Sequence, residues 1–420
     1  MRVAVIGAGI IGITTAWELA LDGHDVTVFE RRSAAAEESS FANAGVVAPG
    51  YVTPWAAPGM PGKVLGHLFS RHAPVKLGLP LSAREIAWIW KWWRACKLET
   101  YLANRARLQR LAFYSRERLH ALTAERQLVY DGSLGYMVLL RAEADAKLVE
   151  PGLQVLREAG VGFRQIDSDE ARKIEPALNP DTPLLGAIHL PEDEVANCRQ
   201  FALLLKAEAQ RLGVKFEFNT TVAHIERAQA ASLFIAGETA PRRFDALVMC
   251  AGLASASLLR PLGLKIPLAA VYGYSISAPL REPLNAPRSA LMDERYKVAI
   301  SRLGNRVRVA GSAEIGGAPS KKRATSIQTL YKVLQDWFPG AAHTAHSGAS
   351  VQEWKGARPM LPDGPPVIGA SGIPGLWLNL GHGSSGWALS CGSARAVADL
   401  VAGKTPDIDM DGLGVTRLLG

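Results

Sequence analysis

Three glycines near the N-terminus are spaced to bring the backbone against a phosphate group. Gly7, Gly9 and Gly12 lie in the segment GAGIIG. In such a segment one glycine makes a tight turn, one lets the backbone approach a pyrophosphate, and one lets a helix pack on the preceding strand. The free N–H groups and positive dipole end of the helix then face the phosphates. Glu30, 18 residues after Gly12, is placed to accept hydrogen bonds from an adenosine ribose.

A second glycine segment, GHGSSG, lies near the C-terminus and contains Gly381, Gly383 and Gly386. The chain ends too soon after it for a second strand with its own ribose-binding acid. This segment therefore predicts a helix N-terminus aimed at a group that becomes negative, such as the ring of a reduced flavin. Close packing of a helix on a strand would also require small residues, so GHGSSG alone does not decide between these two readings.

The elements that position these glycines can be predicted from hydrophobic patterns. Strands are expected at Arg2–Ile6, Asp25–Phe29 and Leu376–Leu380, and helices at Thr14–Leu21 and from Trp387 to Leu400. A strand, a glycine turn, a helix and a second strand form the βαβ unit of a doubly wound nucleotide-binding domain. The motif by itself does not separate FAD from NAD.

The middle of the chain predicts further elements. Residues 33–62 are expected to form a structured loop region, and residues 82–128 to be helical. The other predicted elements are a helix at Cys198–Leu212 and strands at Phe216–Ile225, Phe244–Met249, Ile266–Ile276, Lys297–Arg302 and Arg306–Ala310. The last three suggest a second, antiparallel sheet. The fold class is therefore α/β, with a doubly wound domain and an inserted α+β substrate domain on an antiparallel sheet.

Composition excludes several classes of protein. The chain has 420 residues, a formal charge of +8 and four widely spaced cysteines without a CxxC pair. We therefore expect no disulfide framework, no metal site and a reducing cytoplasm. The basic residues are dispersed and carry no nucleic-acid-binding signature. No segment is apolar enough to span a membrane. A cluster of tryptophans beside Lys91 and Arg94 would suit either a membrane interface or packing between helices; it consists of Trp88, Trp90, Trp92 and Trp93.

Five segments together resemble the D-amino acid oxidase family of flavoenzymes. They are GAGIIG with Glu30, SSFANAG, PGYVTPWAAPG, GARPMLPDG and GHGSSGWALSCGS. The resemblance spans nearly the whole chain and is strongest to bacterial dehydrogenases of D-amino acids. It implies FAD as the cofactor, bound between an FAD domain (1–50, 196–265 and 352–420) and a substrate-binding cap domain (51–195 and 266–351).

The family pattern also implies which residues meet the cofactor. The backbone around Val222 would meet the adenine, Ala42 to Val47 would line the isoalloxazine, and Gly381 to Trp387 would hold its pyrimidine edge. The complete predicted set is Ile6, Gly7, Ala8, Gly9, Ile10, Ile11, Gly12, Phe29, Glu30, Arg31, Ala42, Asn43, Ala44, Gly45, Val46, Val47, Val222, Cys250, Ala251, Gly252, Arg358, Gly381, His382, Gly383, Ser384, Ser385, Gly386 and Trp387.

For the substrate, the resemblance implies that Arg358 pairs with the carboxylate, because a guanidinium can make two parallel hydrogen bonds to it. Tyr274, Tyr296 and Tyr51 are candidates for a second contact or a lid, and His382 for a structural or catalytic role. The implied reaction is oxidative deamination by hydride transfer to flavin N5, with no protein side chain as an obvious base. The resemblance also implies a quinone or another carrier as the electron acceptor and D-alanine as a typical substrate. The protein itself would be cytoplasmic, with a peripheral place on the cytoplasmic face of the inner membrane.

The chain departs from its relatives at three places. Many relatives carry Lys-Gly before Tyr-Ser where this chain has Tyr272-Gly273, and this affects the expected flavin reactivity. Ser384 and Ser385 replace an arginine of glycine oxidases and a Thr-Leu pair of the dehydrogenases, which affects side-chain preference. The alternatives are a glycine or sarcosine oxidase, a D-proline or hydroxyproline dehydrogenase, a noncatalytic FAD-binding subunit and an NAD-dependent dehydrogenase.

Overall fold

A computed structural model describes residues 1–66, 72–226, 231–344 and 351–418. Its helices are α1 (Ile10–Leu21), α2 (Met60–Gly66), α3 (Ala83–Ala95), α4 (Leu98–Arg126), α5 (Glu143–Glu158), α6 (Ser168–Ile174), α7 (Cys198–Arg211), α8 (Ala254–Leu259), α9 (Ala324–Trp337) and α10 (Gly386–Val401).

The strands follow in the same chain order. They are β1 (Arg2–Ile6), β2 (Asp25–Phe29), β3 (Val46–Val47), β4 (Val75–Gly78), β5 (Ser133–Leu140), β6 (Arg164–Asp167), β7 (Gly186–Val195), β8 (Lys215–Glu217), β9 (Val222–Ile225), β10 (Ser232–Ile235), β11 (Arg242–Arg243), β12 (Ala246–Met249), β13 (Ala269–Pro279), β14 (Ala290–Asp293), β15 (Val298–Leu303), β16 (Arg306–Gly316), β17 (Gln352–Met360), β18 (Val367–Ala370) and β19 (Leu376–Leu380).

The first sheet has the strand order β18-β19-β12-β1-β2-β8 and is parallel except for the edge strand β18. Its central strands are apolar on both faces, as a parallel sheet covered on both sides requires. One face packs against α1, α7 and α10, and the other faces the small sheet β11-β10-β9. This is the doubly wound arrangement that the glycine segment predicts.

The second sheet has the order β17-β13-β16-β15-β14-β5-β7-β3. Most neighbours are antiparallel, as predicted, but β14 pairs with β5 in parallel, and β4 adds to β16 in parallel. Helix α9 covers one face of this sheet with Leu330 and Val333. The opposite face is turned toward the first sheet. Strand β17 belongs to this second sheet, and the domain boundaries given above remain a prediction.

One local prediction needs correction, and a second is confirmed in more detail. The strand predicted at Phe216–Ile225 is divided into β8 and β9, because Asn219 adopts a left-handed backbone with φ +54° and ends the first ladder. The helical region 82–128 is two helices. On α3, Trp88 and Trp92 are buried, while Trp90 and Trp93 are 51% and 63% exposed. No helix in the described ranges has the length and apolar character to cross a membrane.

Candidate functional site

A cavity of about 640 Å³ lies between the two sheets. Its walls include the turn after β1, the segment Ser39–Ala44, the end of β12, the cavity-facing side of β13 to β17, and the loop that leads into α10. The carboxyl ends of parallel strands are where such open α/β sheets bind ligands. The size falls within the range of pockets that hold organic ligands and cofactors, about 300–1,000 Å³.

The three N-terminal glycines are required for different reasons. A Cβ on Gly12 would lie 1.8 Å from the carbonyl oxygen of Gly7, and a Cβ on Gly7 would lie 2.7 Å from that of Cys250. Packing alone therefore demands glycine at these two positions. A Cβ on Gly9 would meet only Ser40 Oγ, at 3.5 Å, so the protein itself leaves room there. Gly9 lines the cavity, and its missing side chain keeps the backbone open to a ligand.

The N-terminus of α1 is prepared for a negative group. Gly9 is its N-cap and has no side chain to accept a hydrogen bond, and the first turn contains no acidic residue. The N–H of Ile10 donates to Ser40 Oγ at 3.0 Å. The remaining free N–H groups and the helix dipole favour a phosphate at this position.

Glu30 closes the same part of the cavity. Its carboxylate accepts hydrogen bonds from the N–H groups of Ala8 and Arg32, each at 2.8 Å. These bonds fix its orientation and use one lone pair on each oxygen, so each oxygen can still accept a hydroxyl. The geometry suits the two hydroxyls of a ribose.

A second helix N-terminus meets the cavity at the C-terminal glycine loop. Helix α10 begins at Gly386 after the turn Gly383–Ser385, its first turn has no acidic residue, and its N-cap Ser385 makes no side-chain capping bond. Trp387 donates from Nε1 to the carbonyl oxygen of Gly45 at 3.2 Å and so ties this loop to segment 42–47. Segment 42–47 and the C-terminal glycine loop, about 340 residues apart in the sequence, are thus joined beside one cavity.

His382 is buried under this loop. Its Nε2 lies 3.0 Å from Ser393 Oγ, and burial lowers the pKa of His382 to about 3. The imidazole is therefore uncharged at neutral pH, and its hydrogen bond joins the loop to α10.

Arg358 on β17 presents its guanidinium to the cavity. Nη1 donates to the carbonyl oxygen of Ser312 at 3.0 Å, and no carboxylate lies within 4 Å among the residues that the structure describes. Burial lowers the pKa of Arg358 to about 10, which still leaves it charged at neutral pH. A Cβ on Gly273 would lie 2.3 Å from Nη2, so glycine at 273 makes room for the guanidinium.

The three candidate tyrosines lie in different surroundings. Tyr51 lines the cavity and donates to Glu294 Oε2 at 3.2 Å. Tyr274 also reaches the cavity wall, but its ring packs in the core beneath α9 and its hydroxyl donates to Glu314. Tyr296 is outside the cavity lining of the described chain and packs beside Arg141.

Most of the predicted cofactor residues line the cavity. The exceptions are Ala8, Gly12, Gly45 and Val47, which lie behind the lining. Sequence reasoning missed other lining residues, among them Ser39, Ser40, Tyr136, Thr220, Thr221, Ala223, Gly273, Met292, Lys297, Ala299, Ala310, Trp354 and Gly356. Ser39 and Ser40 could have been found from their place in the SSFANAG segment, and Thr220, Thr221 and Ala223 from their place beside Val222. The residues of the second sheet become neighbours only through the order of its strands.

Comparison with known proteins agrees with this geometry. The family model described as DAO, FAD dependent oxidoreductase, matches residues 2–400. Among solved structures, glycine oxidase from Geobacillus kaustophilus is similar over 100% of this chain and 99% of its own, with 22% identity and a TM-score of 0.78.

Two further structures show the same fold. The similarity to iminodiacetate oxidase from a Chelativorans species covers 98% of this chain and 98% of that protein, at 21% identity and with a TM-score of 0.72. The similarity to L-proline dehydrogenase from P. horikoshii covers 100% of this chain and 97% of that protein, at 17% identity and also with a TM-score of 0.72.

Proposed function

The chain belongs to the DAO family of FAD-dependent oxidoreductases, and we propose that it oxidises D-amino acids to 2-oxo acids and ammonia. FAD is its cofactor, and the cavity residues fit that group: an open Gly9, a free helix N-terminus and an oriented Glu30. One observation carries the choice of an amino acid as substrate, namely Arg358. Its guanidinium faces the cavity without a carboxylate partner among the described residues.

Arg358 would bind the substrate carboxylate. An enclosed cation is costly unless an anion pairs with it. The planar guanidinium can donate two parallel hydrogen bonds to a carboxylate, and its bond to Ser312 fixes its direction. Gly273 leaves the space in which Nη2 lies. This contact would hold the α-carbon in one position while the side chain of the substrate extends toward other walls.

The other residues of the cavity would support hydride removal without acting as a base. Bound FAD would supply the hydride-accepting chemistry. The N-terminus of α10 would stabilise negative charge that develops nearby. His382 is uncharged, and the substrate would enter with its amine uncharged. The chain thus contributes binding, orientation and exclusion of water.

The substrate is best tested with a panel of amino acids under anaerobic conditions. Purified holoenzyme is mixed with D-alanine, other D-amino acids, their L-enantiomers, glycine, sarcosine, D-proline and hydroxyproline, and bleaching of the flavin absorbance is followed. The proposal predicts fastest bleaching by a D-amino acid with a primary amine. Fastest bleaching by glycine or sarcosine would indicate an oxidase of that type. Fastest bleaching by D-proline or hydroxyproline would indicate a dehydrogenase of cyclic amino acids. No bleaching by any compound would indicate a noncatalytic FAD-binding subunit.

For the electron acceptor we propose a quinone or another carrier in place of oxygen, as the resemblance to D-amino acid dehydrogenases implies. Enzyme reduced anaerobically with D-alanine is mixed with either oxygen or a ubiquinone analogue. Reoxidation should be much faster with the quinone. Fast reoxidation by oxygen with formation of peroxide would contradict this part of the proposal.

A peripheral contact with the inner membrane would bring a lipid-soluble acceptor close. Ile86, Trp90 and Trp93 repeat at helical spacing on the exposed side of α3, and Arg94 lies 4.8 Å from the centre of the Trp90 ring. On the buried side, Trp88 Nε1 donates to the carbonyl oxygen of Met360, two residues from Arg358. Co-sedimentation with anionic vesicles should fall for the Trp90→Ser, Trp93→Ser variant. A matched control is Leu284→Ser, which removes a residue that is 85% exposed elsewhere.

A further inference from the structure

A second arginine of the substrate sheet is buried without an anionic partner. Arg308 on β16 is only 9% exposed. No carboxylate lies within 4 Å of its guanidinium in the described ranges, and its Nε makes no hydrogen bond. Burial, together with the nearby cations Arg306 and Arg199, lowers the pKa of Arg308 to about 10. The protein therefore holds a positive charge here at a cost that its own side chains do not offset.

Strand geometry places this charge on the side of the sheet that faces the cavity. Side chains alternate along a strand, so Arg308 shares a face with Ala310, which lines the cavity. Val307 and Val309 occupy the opposite face and pack in the core beneath α9. Arg308 itself is not part of the lining of the described cavity, and a segment of backbone separates it from the interior.

That segment is Asn43–Gly45, and its carbonyl groups are all bound by the protein. The oxygen of Asn43 accepts from Arg308 Nη1 at 3.2 Å, and that of Ala44 accepts from Ser301 Oγ at 2.7 Å. The oxygen of Gly45 accepts from the N–H of Ala196 at 2.8 Å and from Trp387. Three consecutive carbonyls are thus engaged with donors of the protein.

The orientation of the first carbonyl fixes the direction of the next N–H group. In a trans peptide the C=O and N–H groups point in opposite directions. The N–H of Ala44 therefore points away from Arg308, and Ala44 lines the cavity. This N–H has no acceptor among the described residues. A cation bonded to the carbonyl end of a peptide polarises it and strengthens the donor at the other end.

We propose that Arg308, acting through the Asn43–Ala44 peptide, makes the Ala44 N–H a strong donor to the flavin ring and thereby favours reduction of the cofactor. Reduction adds negative charge to the ring, and a fixed positive charge with an aligned N–H stabilises that charge. Arg308 is in this sense a positioning residue: it acts on the cofactor through another group. The inference rests on the proposed function in one respect, namely that segment 42–47 meets the isoalloxazine ring of FAD.

The test is the midpoint potential of bound FAD, measured by reductive titration with a chemical reductant and reference dyes. Arg308→Met should shift the potential to a more negative value than that of the wild type. Arg308→Lys, which keeps the positive charge, should have a potential close to that of the wild type. Sulfite, which adds to oxidised flavin and leaves an anionic product, should bind Arg308→Met about tenfold more weakly, the effect of one charge-assisted hydrogen bond.

Arg306→Met is the matched control, because Arg306 lies two residues away on the same face but donates to Ser277 instead of to the loop. Its potential should equal that of the wild type. An unchanged potential in Arg308→Met, or an equal shift in Arg306→Met, would overturn the proposal. If Arg308→Met does not retain FAD, Arg308→Gln, which keeps an N–H donor without the charge, decides between the same outcomes. No amino acid takes part in these measurements, so they are independent of whether the substrate assignment is correct.

Discussion

Arg395 and Arg358 are both enclosed by the protein, but their surroundings differ. Arg395 on α10 contacts three carboxylates, those of Glu18 at 2.8 Å, Asp399 at 2.8 Å and Asp22. Despite its burial, hydrogen bonds to Asp22 and Asp399 raise its pKa, whereas burial lowers the pKa of Arg358. The first arginine fastens α1 to α10 behind the nucleotide-binding sheet. The second has no carboxylate within 4 Å in the described chain, and it is this free cation that supports the proposed binding of an anionic substrate.

The largest expected effect is on turnover when Arg358 is removed. Arg358→Met should lower kcat/KM for the best amino acid by roughly a thousandfold or more, because the substrate carboxylate would be buried without a partner, which costs about 3–5 kcal/mol. Bound FAD should be retained, as seen from the visible spectrum. Arg306→Met serves as a control on the same sheet. Loss of less than about tenfold would show that Arg358 is not the carboxylate partner.

Arg395→Met should instead affect stability. Glu18, Asp22 and Asp399 would lose their shared counter-ion, and breaking such a buried network costs about 3–5 kcal/mol. The Tm should fall by roughly 3–6 °C, measured by calorimetry on the holoenzyme. At 25 °C the folded variant should keep a kcat close to that of the wild type. A large drop in kcat with an unchanged Tm would reverse the contrast between the two arginines.

Gly273→Ala tests the space around Arg358 with a smaller change. The added methyl group would lie 2.3 Å from Nη2 and must displace the guanidinium. We expect KM for the amino acid to rise by about tenfold, the equivalent of one weakened charge-assisted hydrogen bond. Gly62→Ala, where a Cβ has no neighbour within 4 Å, is the matched control. Equal kinetics for both variants would mean that Arg358 can move without loss.

A further effect concerns pH and His382. Its folded-state pKa of about 3 lies below its ordinary value of 6.5 because of burial. The unfolded chain therefore binds a proton between these pH values that the folded protein excludes. The free energy of unfolding should fall by about 1.4 kcal/mol per pH unit as the pH drops below 6.5, a loss that levels off near pH 3. Urea unfolding at pH 7.5 and 5.0 should show a smaller difference for His382→Asn than for the wild type.

Much of the nucleotide-binding half could be predicted from the sequence. The strands Arg2–Ile6, Asp25–Phe29 and Leu376–Leu380 have the predicted bounds, because short apolar segments bounded by glycines carry a local signal. The substrate sheet could be predicted only in outline. The sequence RVRVAG shows an alternation, but which face meets the cavity depends on the order of strands, so Arg308 was missed.

Tyr274 illustrates the same difficulty. Side chains alternate along β13, whose pairing with β17 is regular, so Tyr274 shares a face with Ile276 and Ala278 in the core beneath α9. No pattern in the sequence announces which face of β13 meets the cavity. The ring consequently packs beneath α9, with its hydroxyl on Glu314.

The most direct test of the central claim compares an amino acid with its amide. Wild-type holoenzyme and Arg358→Met are mixed anaerobically with D-alanine or D-alaninamide, and flavin bleaching is followed by stopped flow. The account predicts rapid bleaching only for the wild type with D-alanine, because only that pair combines the guanidinium with a carboxylate. Equally rapid bleaching of the wild type by the amide, or of Arg358→Met by D-alanine, would contradict it.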